Sequence, residues 1–220
     1  GDVYKRQAAL GAACTGNDNI AIGQNTLDAL TTGACNIAIG IDALGAATDN
    51  NDNIAIGRNA LAVSANDGDQ NIAIGLTAMG CADVSAFYNI ALGVEAMRCV
   101  TSGTQNIALG TNTMDGALTG DHNIAMGQNA FGASTSGACN VAIGTSALGA
   151  ATAHSCTNIA IGELAMGTGV GGGSAGQGSF NVGIGKSALS AATTGTNNIA
   201  IGQNAADALL AGACNICLLY

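Results

Sequence analysis

Eleven copies of one short motif, and the beginning of a twelfth that breaks after Ile216, recur along the chain at nearly constant spacing. The motif is Asn-Ile-Ala-Ile-Gly or a close variant, and successive copies begin 17 or 18 residues apart, except for one interval of 23 residues. A fixed period of this kind is the sequence signature of a solenoid, in which stacked repeats together bury a face that one repeat cannot bury alone. The first residues of the copies are Asn19, Asn36, Asn53, Asn71, Asn89, Asn106, Asn123, Asn140, Asn158, Asn181, Asn198 and Asn215.

Large and small apolar residues alternate within the motif. Positions two and four are Ile, Val, Leu or Met, and position three is Ala in every complete copy except the one with Gly183. Alternation with period two indicates a β-strand, here with both large residues turned toward the core. Pairing of equivalent strands then predicts an all-β fold, a parallel β-solenoid of about eleven rungs of 17–18 residues and on the order of 50 Å long.

A second apolar segment follows each motif. Examples are Asn59-Ala60-Leu61 and Ser146-Ala147-Leu148. Asn or Ser before Ala-Leu is typical of a capped short helical turn, but a second short strand fits the pattern equally well. A segment rich in Thr, Gly, Asn and Asp then leads to the next motif, and this composition is typical of a turn.

Two columns of the motif are predicted to be structural. The glycine column suits a turn with positive φ, and stacked asparagines can form an amide ladder from rung to rung. In the first four repeats these residues are Asn19, Asn36, Asn53 and Asn71, with Gly23, Gly40, Gly57 and Gly75.

The alanine column is the predicted interface. If the isoleucines point inward, the alanines form a flat, small, apolar stripe along the outside, and such stripes commonly mark an interaction surface. We therefore expect lateral association of identical chains. The stripe consists of Ala21, Ala38, Ala55, Ala73, Ala91, Ala108, Ala125, Ala142, Ala160 and Ala200.

Composition excludes several function classes. Aromatic residues make up 3% of the chain, and the formal net charge is −9. Few large side chains are available to line a substrate pocket, so we expect no enzyme, no catalytic residues and no cofactor-binding residues. The acidity argues against nucleic acid as a partner, and no apolar run approaches the ~20 residues of a membrane span, so we expect no membrane insertion.

One acidic cluster is a candidate calcium site. Asp49 and Asp52 precede one motif, and Asp67 and Asp69 precede the next. Neighbouring turns rich in oxygen ligands suit Ca²⁺, although Asp and Asn also serve as ordinary solvated turn residues.

The cysteines allow two interpretations. Cys81 and Cys99 each lie ten residues after a motif asparagine, and Cys139 and Cys156 occupy nearly equivalent positions on consecutive rungs. Stacked thiols could cross-link in an oxidising compartment. Alternatively, each cysteine acts as a small buried apolar residue.

The two ends do not fit the repeat. Residues 1–7 (GDVYKRQ) and 217–220 (CLLY) match the translation of a sequencing adapter. We interpret both as adapter sequence, which leaves 8–216 as a single repeat solenoid from a longer gene. A loop at about 168–179 accounts for the interval of 23 residues.

The repeat resembles the arrays of phage tail fibres and tail-fibre-like proteins. The matching residues are Asn198-Ile199-Ala200-Ile201-Gly202, and Ala188-Leu189 with Thr193-Thr194-Gly195. The motif is more loosely similar to the head repeats of trimeric autotransporter adhesins. These resemblances imply a non-enzymatic structural and binding rod at a virion surface or in an extracellular or cell-surface location. They further imply a homotrimer that contacts a host-surface glycan or receptor. The alternatives are an adhesin head and, less favoured, an ice-binding solenoid.

Overall fold

The protein is an all-β parallel solenoid, as predicted. The computed structural model describes residues 9–12, 14–64, 68–81, 85–116, 118–133, 136–150, 155–167, 178–191 and 194–219. Twelve strands of three residues each lie in these ranges, and no helix is found in them. The strands are Ile20–Ile22 (β1), Ile37–Ile39 (β2), Ile54–Ile56 (β3), Ile72–Ile74 (β4), Ile90–Leu92 (β5), Ile107–Leu109 (β6), Ile124–Met126 (β7), Val141–Ile143 (β8), Ile159–Ile161 (β9), Val182–Ile184 (β10), Ile199–Ile201 (β11) and Ile216–Leu218 (β12).

The strands form one sheet in chain order, and each is parallel to its neighbours. Equivalent residues of the motif pair directly, as Ala38 does with Ala55. The longer interval between β9 and β10 leaves this register intact, since Ala160 still pairs with Gly183. The coil therefore stacks motif on motif along its length.

The predicted orientation of the strands is wrong. The central alanines face the interior, and Ala38 and Ala108 have no solvent-exposed surface. The flanking isoleucines face outward, with Ile20 and Ile22 each exposing more than a third of their surface. On most rungs the interior contains one alanine from the strand and an Ala-Leu, Ala-Met or Ala-Phe pair from the second segment, as with Ala43 and Leu44.

The narrow interior explains this orientation. At Gly183, which replaces the central alanine in β10, an added Cβ would lie 3.1 Å from Cε of Met166 and 3.3 Å from the carbonyl oxygen of Ala188. The space facing the strand is therefore filled by the second segment and accommodates little more than a methyl group. A pair of isoleucines does not fit inside so short a rung, because protein interiors are close-packed.

The second segment is a turn, neither of the two alternatives predicted. Asn25 and Leu27 both have positive φ, at 53° and 52°, and the pattern recurs on later rungs, as at Asn59 and Leu61. Left-handed residues at alternate positions cannot continue a right-handed helix. The backbone instead bonds between rungs, and Leu27 N–H donates to the Ala43 carbonyl (3.2 Å).

The final strand, Ile216–Leu218, continues past Ile216, the residue at which the repeat was predicted to end. Cys217 and Leu218 pair with Ala200 and Ile201, because a small residue followed by a large one repeats the motif's alternation. The interpretation of 217–220 as adapter stays a prediction. Residues 1–7, Asp67, Thr193 and the loop segment 168–177 lie outside the described residues.

Candidate interaction surface

The outer face of the sheet is a strip of aliphatic side chains two residues wide. Motif positions two and four form its two columns, and no charged residue occupies either column in β1 to β12. Each side chain is partly covered by its neighbours on adjacent rungs. On β12, which no further rung follows, the exposure of Ile216 rises to 72%, compared with 38% for Ile199 on β11. The most exposed members within the stack are Ile20, Ile22, Ile74, Ile124, Met126, Ile159, Ile161, Ile199 and Ile201.

The strip is comparable in area to the largest apolar patch of a typical single chain. Twelve strands at ~4.8 Å spacing and two columns ~7 Å apart give a footprint on the order of 500 Å². The largest apolar patch of a typical monomer is ~300–600 Å², and such a patch is often functional. Position two and position four therefore define the candidate interaction surface, which we call the isoleucine face.

The predicted alanine interface is wrong in its residues. Ala21, Ala38, Ala55, Ala73, Ala91, Ala108, Ala125, Ala142, Ala160 and Ala200 are all buried within their own chain, so their side chains cannot contact a partner. The period-two pattern separates the two faces of the strand correctly but does not tell which of them is inside. The length of the rung could have identified the inner face, because the interior of so short a rung must also hold the Ala-Leu segment.

A ladder of asparagines supports the edge of the isoleucine face. On most rungs the Oδ1 of one asparagine accepts hydrogen bonds from both the backbone N–H and the Nδ2 of the next. Between Asn19 and Asn36 these are 3.0 and 3.1 Å long. The same Nδ2 also donates to the Asn50 carbonyl, a backbone oxygen of the following rung (2.6 Å). Asn36 itself is fully buried, so this network fixes the start of each strand relative to its neighbours.

The acidic cluster is organised by backbone hydrogen bonds. Oδ1 of Asp69 accepts from the backbone N–H of Asn51 (2.6 Å), and the carbonyl of Asp49 accepts from Asn51 Nδ2 (2.8 Å). Asp52 has φ of 56° and bonds through its backbone N–H to the Ala34 carbonyl. Within the part of the chain that the structure describes, no three His, Cys, Asp or Glu side chains are grouped to hold a metal ion. Asp67 lies outside that part.

A small charged group lies on two consecutive rungs of the second segment. Nη1 of Arg98 is 3.4 Å from Oε2 of Glu95. Burial raises the pKa of Asp115 above its ordinary 3.8, although Arg98 opposes the shift. The pKa of Arg98 is also raised, first by Cys99 and then by Glu95. These side chains form a local electrostatic cluster. Within it, burial disfavours the ionised form of the Asp115 carboxylate.

The four cysteines singled out by spacing separate into two kinds of pair. Cys81 N–H donates to the carbonyl of Arg98 (2.9 Å), which places Cys81 in register with Cys99. Thr157 N–H donates to the carbonyl of Ala138 (3.0 Å), and this stacks Thr157 on Cys139 and leaves Cys156 one position out of register. All four are free thiols.

Compared with protein-family models, with curated proteins and with solved structures, the chain matches none. The described residues include no helix that is long and apolar enough to cross a membrane. The fold places the chain in the class of parallel β-solenoid repeat proteins.

Proposed function

We propose that the chain is a non-enzymatic structural and binding rod, a segment of a phage tail-fibre-like protein at a virion surface or in an extracellular or cell-surface location. The observation that carries the proposal is the isoleucine face, a continuous apolar strip along twelve stacked rungs. A long, regular stack is suited to hold a binding element away from a surface. Its interior is filled by residues such as Leu44 and Leu61, which fits a mechanical role.

Association of identical chains through the isoleucine face supports this role. A second copy presents the same two columns at the same ~4.8 Å spacing, so contacts can repeat on every rung. In a closed threefold arrangement, the position-two column of one chain packs against the position-four column of the next, and each chain uses its whole strip. A homotrimer arranged in this way buries both columns of every chain.

The rod resists bending through bonds between rungs. Strand pairing, the asparagine ladder and the turn hydrogen bonds all run along the stack, as at Asn106 and Asn123. In a trimer, burial of three apolar strips would couple the chains along the same axis.

An aromatic pair at the start of one rung is a candidate contact for a host-surface glycan or receptor. The rings of Phe87 and Tyr88 have centroids 6.4 Å apart, and Tyr88 is more than half exposed. A flat aromatic ring with a polar hydroxyl suits both the apolar face and the hydroxyls of a sugar. Substitution of Tyr88 by Ala should reduce binding to bacterial surface polysaccharide, and unchanged binding would remove this contact from the proposal.

The head of a bacterial trimeric adhesin is the alternative function. It would use the same solenoid and the same isoleucine face, so the structure of the rod does not distinguish a tail fibre from an adhesin head. Sequencing the intact gene on both sides of this segment does. A virion-attachment region and a chaperone domain support the fibre, and a secretion signal with a membrane anchor supports the adhesin.

The mass of the protein in solution tests the association. Sedimentation equilibrium should give about three times the 21.2 kDa of one chain. Leu109→Asp places a charge on the isoleucine face and should yield monomers, whereas Ser102→Asp, at an exposed turn position, should leave the trimer intact. Far-UV circular dichroism confirms that both variants fold. A monomeric wild type, or a Leu109→Asp variant that remains trimeric, would refute association through this face.

A further inference from the structure

One pair of thiols is stacked in register on adjacent rungs. Cys81 and Cys99 lie on the rungs of β4 and β5, and Cys81 N–H bonds to the carbonyl of Arg98, the residue before Cys99. The strands use the same pattern, since Ile72, which pairs with Ile90, donates to the Asn89 carbonyl. Equivalent residues on adjacent rungs are ~4.8 Å apart. That separation lies within the ~4.4–6.8 Å between Cα atoms that a disulfide requires.

The two thiols differ in their surroundings. Cys81 is exposed, whereas Cys99 is partly buried beside Arg98. Burial raises the pKa of Cys99, and the Cys81 thiol adds to the shift, while Arg98 opposes it. A soluble oxidant therefore reaches Cys81 more easily, and Cys99 is positioned to react with Cys81 in turn.

We propose that Cys81 and Cys99 form a redox-active dithiol that closes to an inter-rung disulfide by exchange with a small-molecule disulfide. The Cys81 thiolate attacks one sulfur of glutathione disulfide, which forms a mixed disulfide and releases one glutathione thiolate. The Cys99 thiolate then attacks Sγ of Cys81, forms the Cys81–Cys99 bond and expels the second glutathione. Two protein thiols are oxidised, one glutathione disulfide is reduced, and the two glutathione thiolates take up the protons that the cysteines lost.

The closed disulfide would join the rungs of β4 and β5 covalently. Cross-linking residues 18 positions apart restricts the unfolded chain, so oxidation should raise the melting temperature. For a chain of this size we expect a rise of roughly 5–10 °C. The site would thus stiffen the rod under oxidising conditions, independently of any association through the isoleucine face.

Cys139 and Cys156 supply an internal control in the same chain. They also lie on consecutive rungs, but Cys139 is stacked on Thr157, and the Cys156 N–H bonds to Oγ of Ser179 on the other neighbouring rung (3.1 Å). The two cysteines are offset by one residue, so their side chains do not stack. The separation along the chain is similar for the Cys81–Cys99 and Cys139–Cys156 pairs, whereas only Cys81 and Cys99 are in register.

The test is oxidation of the whole chain, at low concentration, by glutathione disulfide. Peptide mapping without reduction should show a Cys81–Cys99 link, with a loss of about 2 Da, and no comparable Cys139–Cys156 link. Cys81→Ser and Cys99→Ser should abolish both the link and the rise in melting temperature, and Cys139→Ser should abolish neither. Three results would overturn the proposal. They are mixed disulfides with glutathione in place of the Cys81–Cys99 link, links between chains in its place, and a Cys139–Cys156 link that forms at least as fast as the Cys81–Cys99 link. Circular dichroism of the serine variants ensures that a lost link does not reflect a lost fold.

Discussion

Asn106 accepts two hydrogen bonds from Asn123 on the next rung. Its Oδ1 receives the backbone N–H of Asn123 at 2.9 Å and the Nδ2 at 3.0 Å. Asn106 in turn donates its own Nδ2 to Oδ1 of Asn89 and to the Gly120 carbonyl. One buried side chain therefore links three consecutive rungs.

Replacing Asn106 with Ala should destabilise the fold by about 2–4 kcal/mol, because buried donors and acceptors on both neighbouring rungs lose their partner. Urea denaturation followed by circular dichroism measures the change. Gln128→Ala, at an exposed position after Gly127, is the matched control and should change stability by less than about 0.5 kcal/mol. A loss at Asn106 no larger than the loss at Gln128 would show that the ladder contributes little.

Replacing Gly110 with Ala should also destabilise the protein. Gly110 has φ of 134°, and an added Cβ would lie 2.9 Å from both the Gly127 carbonyl carbon and Oγ1 of Thr113. The strained backbone and the clash with the next rung together should cost about 2 kcal/mol or more. Gly45→Ala is the comparison, since its Cβ would meet nothing closer than 3.3 Å. Equal melting temperatures for the two variants would argue against a steric requirement at this column.

Asp115→Asn should stabilise the protein slightly at neutral pH. Burial raises the folded-state pKa of Asp115 above the ordinary 3.8, so the ionised carboxylate costs folding free energy at high pH. This cost disappears as the pH falls through the raised pKa, and the stability gained by the substitution should disappear with it. Thermal unfolding of both proteins between about pH 3 and pH 7 measures the difference. Asp207→Asn, on an exposed turn, should show no such trend, and an Asp115→Asn variant less stable than wild type at neutral pH would contradict the burial argument.

The motif spacing predicted most of the fold. Rungs of equal length bring Ile37 opposite Ile54 and Cys81 opposite Cys99, so strand order and register follow from arithmetic on the sequence. The inward direction of Ala38 did not follow, because alternation defines two faces and the space inside the rung decides between them. The turn at Leu27 was also missed, since leucine has no intrinsic preference for positive φ and adopts it here within the stacked turns.

The candidate interaction surface was predicted in kind but placed on the wrong residues. An exposed apolar stripe along the rod was expected at alanines such as Ala125 and is found at their neighbours, here Ile124 and Met126. The cause is the same narrow interior, because burying the alanine necessarily exposes its two neighbours. Charge patterning could not correct the error, since neither the alanine position nor the two flanking positions contain a charged residue.

The alanines of the strands lie inside the coil and the isoleucines outside. Thermal unfolding of Ala108→Leu and Ile107→Thr, monitored by circular dichroism at low protein concentration, tests this orientation. Ala108→Leu should be strongly destabilised or fail to fold, because the added side chain has no space, and Ile107→Thr should retain the fold with a small loss of stability. The opposite result, a tolerated leucine at position 108 and an unfolded threonine variant at position 107, would contradict the account.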